Sequence, residues 1–182
     1  MRRRRLLELF GAAWLGVGLD GCFASTKRAP DFAMRSLDGD LVSLSDFQGR
    51  VLLLHFFTTR ERGSWMSLPG LATLDRKYRE EGLGIVGVSV DDPKNRADVR
   101  GFVRSHNVAF PVVVDEATEL SQLYNPSLIV PYGVIVTRAG AIWGYWNGFQ
   151  PADLPALEAE LERALEAAPL DHGETKQQSR PG

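Results

Sequence analysis

The chain has 182 residues, 44% apolar and 24% charged, with a formal net charge of −2. That length and mix suit one globular domain with tails, large enough to build its core from apolar burial without disulfides or metals. The charge balance excludes a basic nucleic-acid-binding protein, the more so because four arginines are gathered at the N-terminus.

In chain order, Arg2 to Arg5 precede an apolar stretch from Leu6 to Leu19 broken by Glu8, followed by Leu19-Asp20-Gly21-Cys22. A basic start, a short apolar run and a small residue before a cleavage point make a secretory signal peptide. The run of about fourteen residues is shorter than the roughly twenty a membrane-spanning helix needs. Leu-x-Gly-Cys resembles the lipobox of bacterial lipoproteins, which implies cleavage after residue 21, acylation of Cys22 and a membrane-anchored protein facing the periplasm or outside the cytoplasmic membrane. The other reading is that Cys22 ends an ordinary signal peptide or uncleaved anchor and is chemically incidental. Loss of residues 1–21 removes four arginines, Glu8 and Asp20, leaving 17 basic against 21 acidic residues, a net of −4. Cys22 is the only cysteine. One cysteine forms no intrachain disulfide, no CxxC pair and no thiolate zinc site.

Residues 22–28 read as a tether. The stretch from Asp31 to Asp46, with Asp38-Gly39 between short apolar segments, predicts a small hairpin. Val51 to Phe57 is a continuous apolar run, the pattern of a strand covered on both faces. Ser64 to Glu80 predicts a helix with Trp65, Leu68, Leu71, Leu74 and Tyr78 on its apolar stripe. Gly84 to Val90 predicts a second buried strand, and Asp92-Pro93 opens a helix reaching about His106. Pro111 to Asp115 is a short strand and Glu116 to Tyr124 a short helix. Tyr132 to Arg138 and Ala141 to Asn147 form a hairpin around Ala139-Gly140. A last amphipathic helix runs from Pro151 to about Ala167. Residues 169–182 are polar and aperiodic, a disordered tail. The alternation predicts one three-layer α/β domain over 29–168.

Ala29-Pro30-Asp31-Phe32, Leu37-Asp38-Gly39, Val42 to Phe47 and Gly49-Arg50-Val51 resemble the start of TlpA-like thioredoxin family domains, tethered periplasmic reductases related to the peroxiredoxins. The resemblance implies a thioredoxin-like fold with a central mixed sheet and an N-terminal β-hairpin extension. The family then reads approximately FWATWCGPCRAEMP, where this chain reads Phe56-Phe57-Thr58-Thr59-Arg60-Glu61-Arg62-Gly63-Ser64-Trp65-Met66-Ser67-Leu68-Pro69. Glu61 and Ser64 stand where the resemblance implies the two cysteines, with Arg62 and Gly63 between them. A carboxylate and a hydroxyl cannot form the mixed disulfide of thiol exchange, so dithiol and peroxidase chemistry by this chain alone is excluded. Ile129-Val130-Pro131-Tyr132 matches the family's cis-proline segment, which implies a cis Val130–Pro131 bond and a groove that pairs with extended peptide through main-chain hydrogen bonds.

Within this frame, Val130, Pro131, Tyr132, Arg60 and Trp65 are the candidate peptide-binding residues. Ser64 is read as the cap of its helix. His55 occupies a position where the family often buries a polar group. It reads either as a hydrogen-bonded core histidine or as the partner of a neighbouring carboxylate, with a raised pKa. A hydrolytic Ser64–His55–Glu61 arrangement would need a geometry that nothing in the sequence supports. Arg60, Glu61 and Arg62 read as a solvated turn or a small anion-binding edge. Met34, Met66 and the three histidines show no ligand spacing, so neither metal nor cofactor is expected. The function expected is a tethered, non-catalytic module that binds an envelope protein or extended peptide. The alternative is a thiol-disulfide oxidoreductase whose thiol comes from Cys22 or a partner.

Overall fold

The computed structural model describes residues 27–167. The signal peptide, Cys22 and the tail expected from 169 onward lie outside the described residues. Two short strands, β1 (Ala33–Arg35) and β2 (Leu41–Ser43), pair antiparallel around Gly39, whose φ of 99° suits a residue without Cβ. This is the hairpin the Asp38-Gly39 signal predicts.

The main sheet has the order β5-β4-β3-β6-β7. Its centre is β3 (Val51–Phe57), flanked in parallel by β4 (Leu83–Ser89) and antiparallel by β6 (Tyr132–Val136). The short β5 (Val112–Val114) lies beyond β4, and β7 (Ile142–Asn147) beyond β6. Every residue of β3 and β4 is buried, which is why their sequences run apolar without alternation. Helix α1 (Arg62–Tyr78) follows β3, and α2 (Arg96–Ser105) follows β4 after a single 3₁₀ turn at Pro93–Asn95. Helix α3 (Glu119–Tyr124) precedes β6, and α4 (Leu154–Glu166) closes the domain.

Alternation along β3 divides the core in two. Val51, Leu53 and Phe57 face Leu68 and Leu71 of α1, Val99 of α2, and Leu157 and Leu161 of α4. Leu52, Leu54 and Phe56 face Leu120 and Tyr124 of α3 and Val42 of the hairpin. The architecture is the thioredoxin-like mixed α/β sheet, with the two-stranded hairpin added in front.

The β1–β2 hairpin also lies against the β5 margin, through a Ser36–Val113 bridge and the Leu37 N–H donating to the Val112 carbonyl at 2.7 Å. At the opposite margin, residues 27–29 meet the start of β7. There Ile142 N–H donates to Lys27 O and Ala29 N–H to Gly140 O. Among the described residues no helix is long and apolar enough to cross a membrane.

Candidate functional site

The antiparallel register of β3 and β6 pairs Phe56 with Tyr132 and His55 with Gly133. The end of β3 and the start of β6 therefore lie side by side, and the turn leading into α1 meets the loop leading into β6. The Val130–Pro131 bond is cis, as the resemblance implies. Pro131 packs on the first turn of α1 at Gly63. A Cβ there would stand 3.0 Å from Pro131 Cδ and 2.8 Å from Glu61 Oε2, so only glycine admits this approach.

Helix α1 begins at Arg62, two residues before the sequence-based expectation, and its cap is Glu61 rather than Ser64. The Glu61 side chain accepts the Ser64 N–H at 2.9 Å, satisfying one of the amides a helix start leaves free. Ser64 is fully buried, and its hydroxyl accepts the Thr58 N–H at 3.3 Å. Glu61 and Ser64, where the resemblance implies cysteines, thus close the turn on itself.

His55 has no exposure and is bonded through Nε2 to Ser67 Oγ at 2.9 Å, not to a carboxylate. Because the Ser67 hydroxyl donates to the Ser64 carbonyl at 3.0 Å, it must accept from His55, which fixes the Nε2–H tautomer. Burial pushes the His55 pKa down to about 3, opposite to the rise expected for a carboxylate pair. The histidine is neutral, and as it is bonded to Ser67 it does not serve Ser64 as a base. Gly133 and Trp146 are cross-strand partners, and a Cβ on Gly133 would run into the Trp146 ring. The glycine lets the indole cross β6 and stack against His55, with ring centroids 6.3 Å apart. His55 Nδ1 and Trp146 Nε1 are both buried without a hydrogen-bond partner among the described residues.

One organising residue escaped the sequence reading. Asp91, 5% exposed just beyond β4, accepts Thr58 Oγ1 and Thr59 Oγ1 at 2.8 Å, Thr59 N–H at 2.9 Å and Ser89 Oγ at 2.8 Å. Burial alone would raise its pKa. The bonds from the Thr59 amide and the Thr58, Ser89 and Thr59 hydroxyls outweigh it and hold the carboxyl below its ordinary range. Asp91 therefore clamps the turn ahead of Arg60 and Glu61. The Trp65 indole N–H adds a bond to the Thr59 carbonyl at 2.7 Å. Trp65 itself is 51% exposed and tilts against Phe102 of α2, not into the core stripe that its spacing predicts.

The loop before β6 is pinned from beneath. Buried Asn125 donates through its side chain to the Ile129 carbonyl at 2.8 Å. Leu128 and Ile129 stay exposed, and the Val130 main chain enters no hydrogen bond among the described residues. Tyr132 tilts against Phe56 and stacks on Tyr145. The surface that results has Gly63 and Pro131 at its centre, Trp65 on the α2 side and Tyr132 with Tyr145 on the β7 side. Arg60 and Arg62 are exposed in the turn beside it.

The AhpC/TSA family profile matches residues 26–142. The chain belongs to the AhpC/TSA family. Among relatives in this thioredoxin-like group, thiol-disulfide oxidoreductase ResA of Geobacillus kaustophilus is 31% identical over 139 residues, 76% of this chain and 75% of that protein. ResA of Bacillus thuringiensis subsp. konkukian is 28% identical over 116 residues, 64% of this chain. This chain spans 65% of the length of that relative. Among solved structures, a putative thiol:disulfide interchange protein DsbE from Chlorobium tepidum superposes with a TM-score of 0.70 at 30% identity, covering 76% of this chain and 96% of that one. The family match runs from the residues ahead of the hairpin to the start of β7, and in the turn into α1 this chain carries Glu61 and Ser64.

Proposed function

We propose that this chain is a membrane-tethered member of the thiol-disulfide oxidoreductase group that keeps the polypeptide-recognition surface and has given up the dithiol. The observation that carries this reading is the turn from Thr58 to Ser64. Without either cysteine it is held by three bonds to Asp91, by the Glu61 cap and by the Trp65 indole. A turn maintained for a lost reaction alone would have no need of such restraint. The unpaired Val130 main chain beside Pro131 supports strand addition by an extended segment, in which main-chain bonds give affinity and neighbouring side chains give preference. Trp65, Tyr132 and the exposed Leu128 and Ile129 favour an apolar or aromatic segment. Isothermal titration with unfolded envelope polypeptides should show saturable binding, weakened by Trp65→Ala and by Tyr132→Ala. Absence of saturation, or indifference to both substitutions, would remove the reading.

A second reading is that the chain takes part in thiol–disulfide exchange with a thiol from Cys22 or from a partner. The names of the ResA and DsbE relatives speak for this activity. An insulin-reduction assay separates the two. Turnover that disappears in Cys22→Ser supports the second, and inactivity of the unmodified chain supports the first. The mass of the membrane-extracted protein tests the tether, since a diacylglyceryl or triacyl increment on Cys22 is expected.

A further inference from the structure

The pole of the domain opposite the recognition surface holds a second cavity, of about 240 Å³. It is framed by the start of β3, the β6–β7 turn and the 3₁₀ turn at Leu44–Phe47. Arg28, Arg50 and Arg138 line it, against a single lining carboxylate, Asp31. None of the three arginines forms an ion pair within the described residues. Arg138 is committed to main-chain carbonyls, those of Gly49 at 2.9 Å, Glu81 at 2.8 Å and Leu165 at 3.3 Å, and Arg50 donates to the Leu83 carbonyl. Their positive charge is thus fixed in place without being neutralised. Arg28 is exposed at the cavity edge and adds a third positive charge there. Gln48 and Thr137 add polar groups.

We infer that this cavity receives the phosphate of an anionic phospholipid headgroup and seats the domain on the membrane with its recognition surface outward. Two observations favour a lipid over a soluble anion. First, Arg28, close behind Cys22 in the chain, lines the cavity. Lys27 lies five residue steps beyond Cys22, a reach of at most about 18 Å. A tethered domain therefore keeps this pole near the headgroups. Second, the mature chain carries a net of −4, so an anionic surface repels it overall and attracts this pole, which sets an orientation. The seven residues of β3 separate the cavity from the cis-proline loop by about 20 Å, beyond a Debye length at physiological salt. This inference rests on the tether of the proposed function but not on peptide binding.

The test uses the full chain reconstituted into lipid nanodiscs, first shown to co-migrate with them so that failure of tethering is recognised separately. Amide exchange is compared between phosphatidylcholine discs and discs that also contain phosphatidylglycerol. About fivefold slower exchange around residues 45–50 and 137–140 is expected on the anionic discs, from the favourable field on each basic residue near such a surface. The slowing should be lost in Arg28→Glu, kept in Arg28→Lys, and absent around residues 59–66. Equal exchange on both discs would overturn the inference. So would full protection by inorganic phosphate on neutral discs, which would make this a site for a soluble anion.

Discussion

Asp91→Asn is the perturbation that most directly tests how the turn into α1 is held. The carboxylate takes four bonds, two at each oxygen. Oδ1 accepts both threonine hydroxyls, and Oδ2 accepts the Thr59 amide and the Ser89 hydroxyl. Asparagine keeps one oxygen and presents an NH₂ where the other stood, so two donors lose their acceptor unless they rotate. A hydrogen bond to a charged group contributes about 1.5–3 kcal/mol net. Reorientation of the threonine hydroxyls recovers part of two such bonds, leaving a cost of about 2–4 kcal/mol at neutral pH. The pH dependence provides an internal control. The folded-state pKa of Asp91 lies below its unfolded value, so its contribution is complete above the ordinary carboxylate range. It is lost as pH falls through that range to the lower folded value. Urea unfolding followed by tryptophan fluorescence at pH 7 and at successively lower pH should therefore show the wild type and Asp91→Asn converging in acid. A deficit below about 0.5 kcal/mol at pH 7, the range of an ordinary surface change, would refute the clamp. A deficit that does not shrink in acid would refute the charge as its cause.

Three further outcomes are expected. His55→Leu should flatten stability against pH. A buried imidazole with a folded pKa of about 3 instead of 6.5 adds no pH-dependent cost above 6.5, and destabilises by up to about 1.4 kcal/mol per pH unit as pH falls from there toward 3. Unfolding midpoints across that window measure the slope. Glu61→Ala removes the α1 cap and should cost about 1 kcal/mol in urea unfolding, with faster amide exchange at Ser64. Glu61→Cys with Ser64→Cys places two thiols at a helix start, where thiolates are favoured. Insulin reduction should appear, and its absence under conditions where the pair is fully reduced would mean that more than the thiols has been lost.

Most of the fold was legible because apolar runs and 3.6-residue periodicity act locally. Val51–Phe57 was read to the residue, since a strand buried on both faces leaves no polar interruption. The start of α1 was misplaced by two residues because glutamate is not among the preferred caps and serine is. Trp65 fits the helical stripe by spacing but lies in the first turn, where the helix has emerged from the core and an indole N–H reaches a loop carbonyl. His55 was legible as a buried polar group but not its partner, because Ser67 reaches it through one turn of α1. Asp91 was invisible for a different reason. Its threonine partners lie 32 and 33 residues upstream, and nothing in the Asp91-Asp92-Pro93 run distinguishes a clamp from a helix-opening aspartate.

The N-terminal hairpin has one more consequence, for how copies of the domain meet. By closing the β5 margin it leaves the main sheet, among the described residues, with one free edge, the outer side of β7 beyond Ile142, where Tyr145 is 74% exposed. Two molecules that join through these edges use up the main-sheet margin that the described residues leave open. Self-association through that edge closes on a pair.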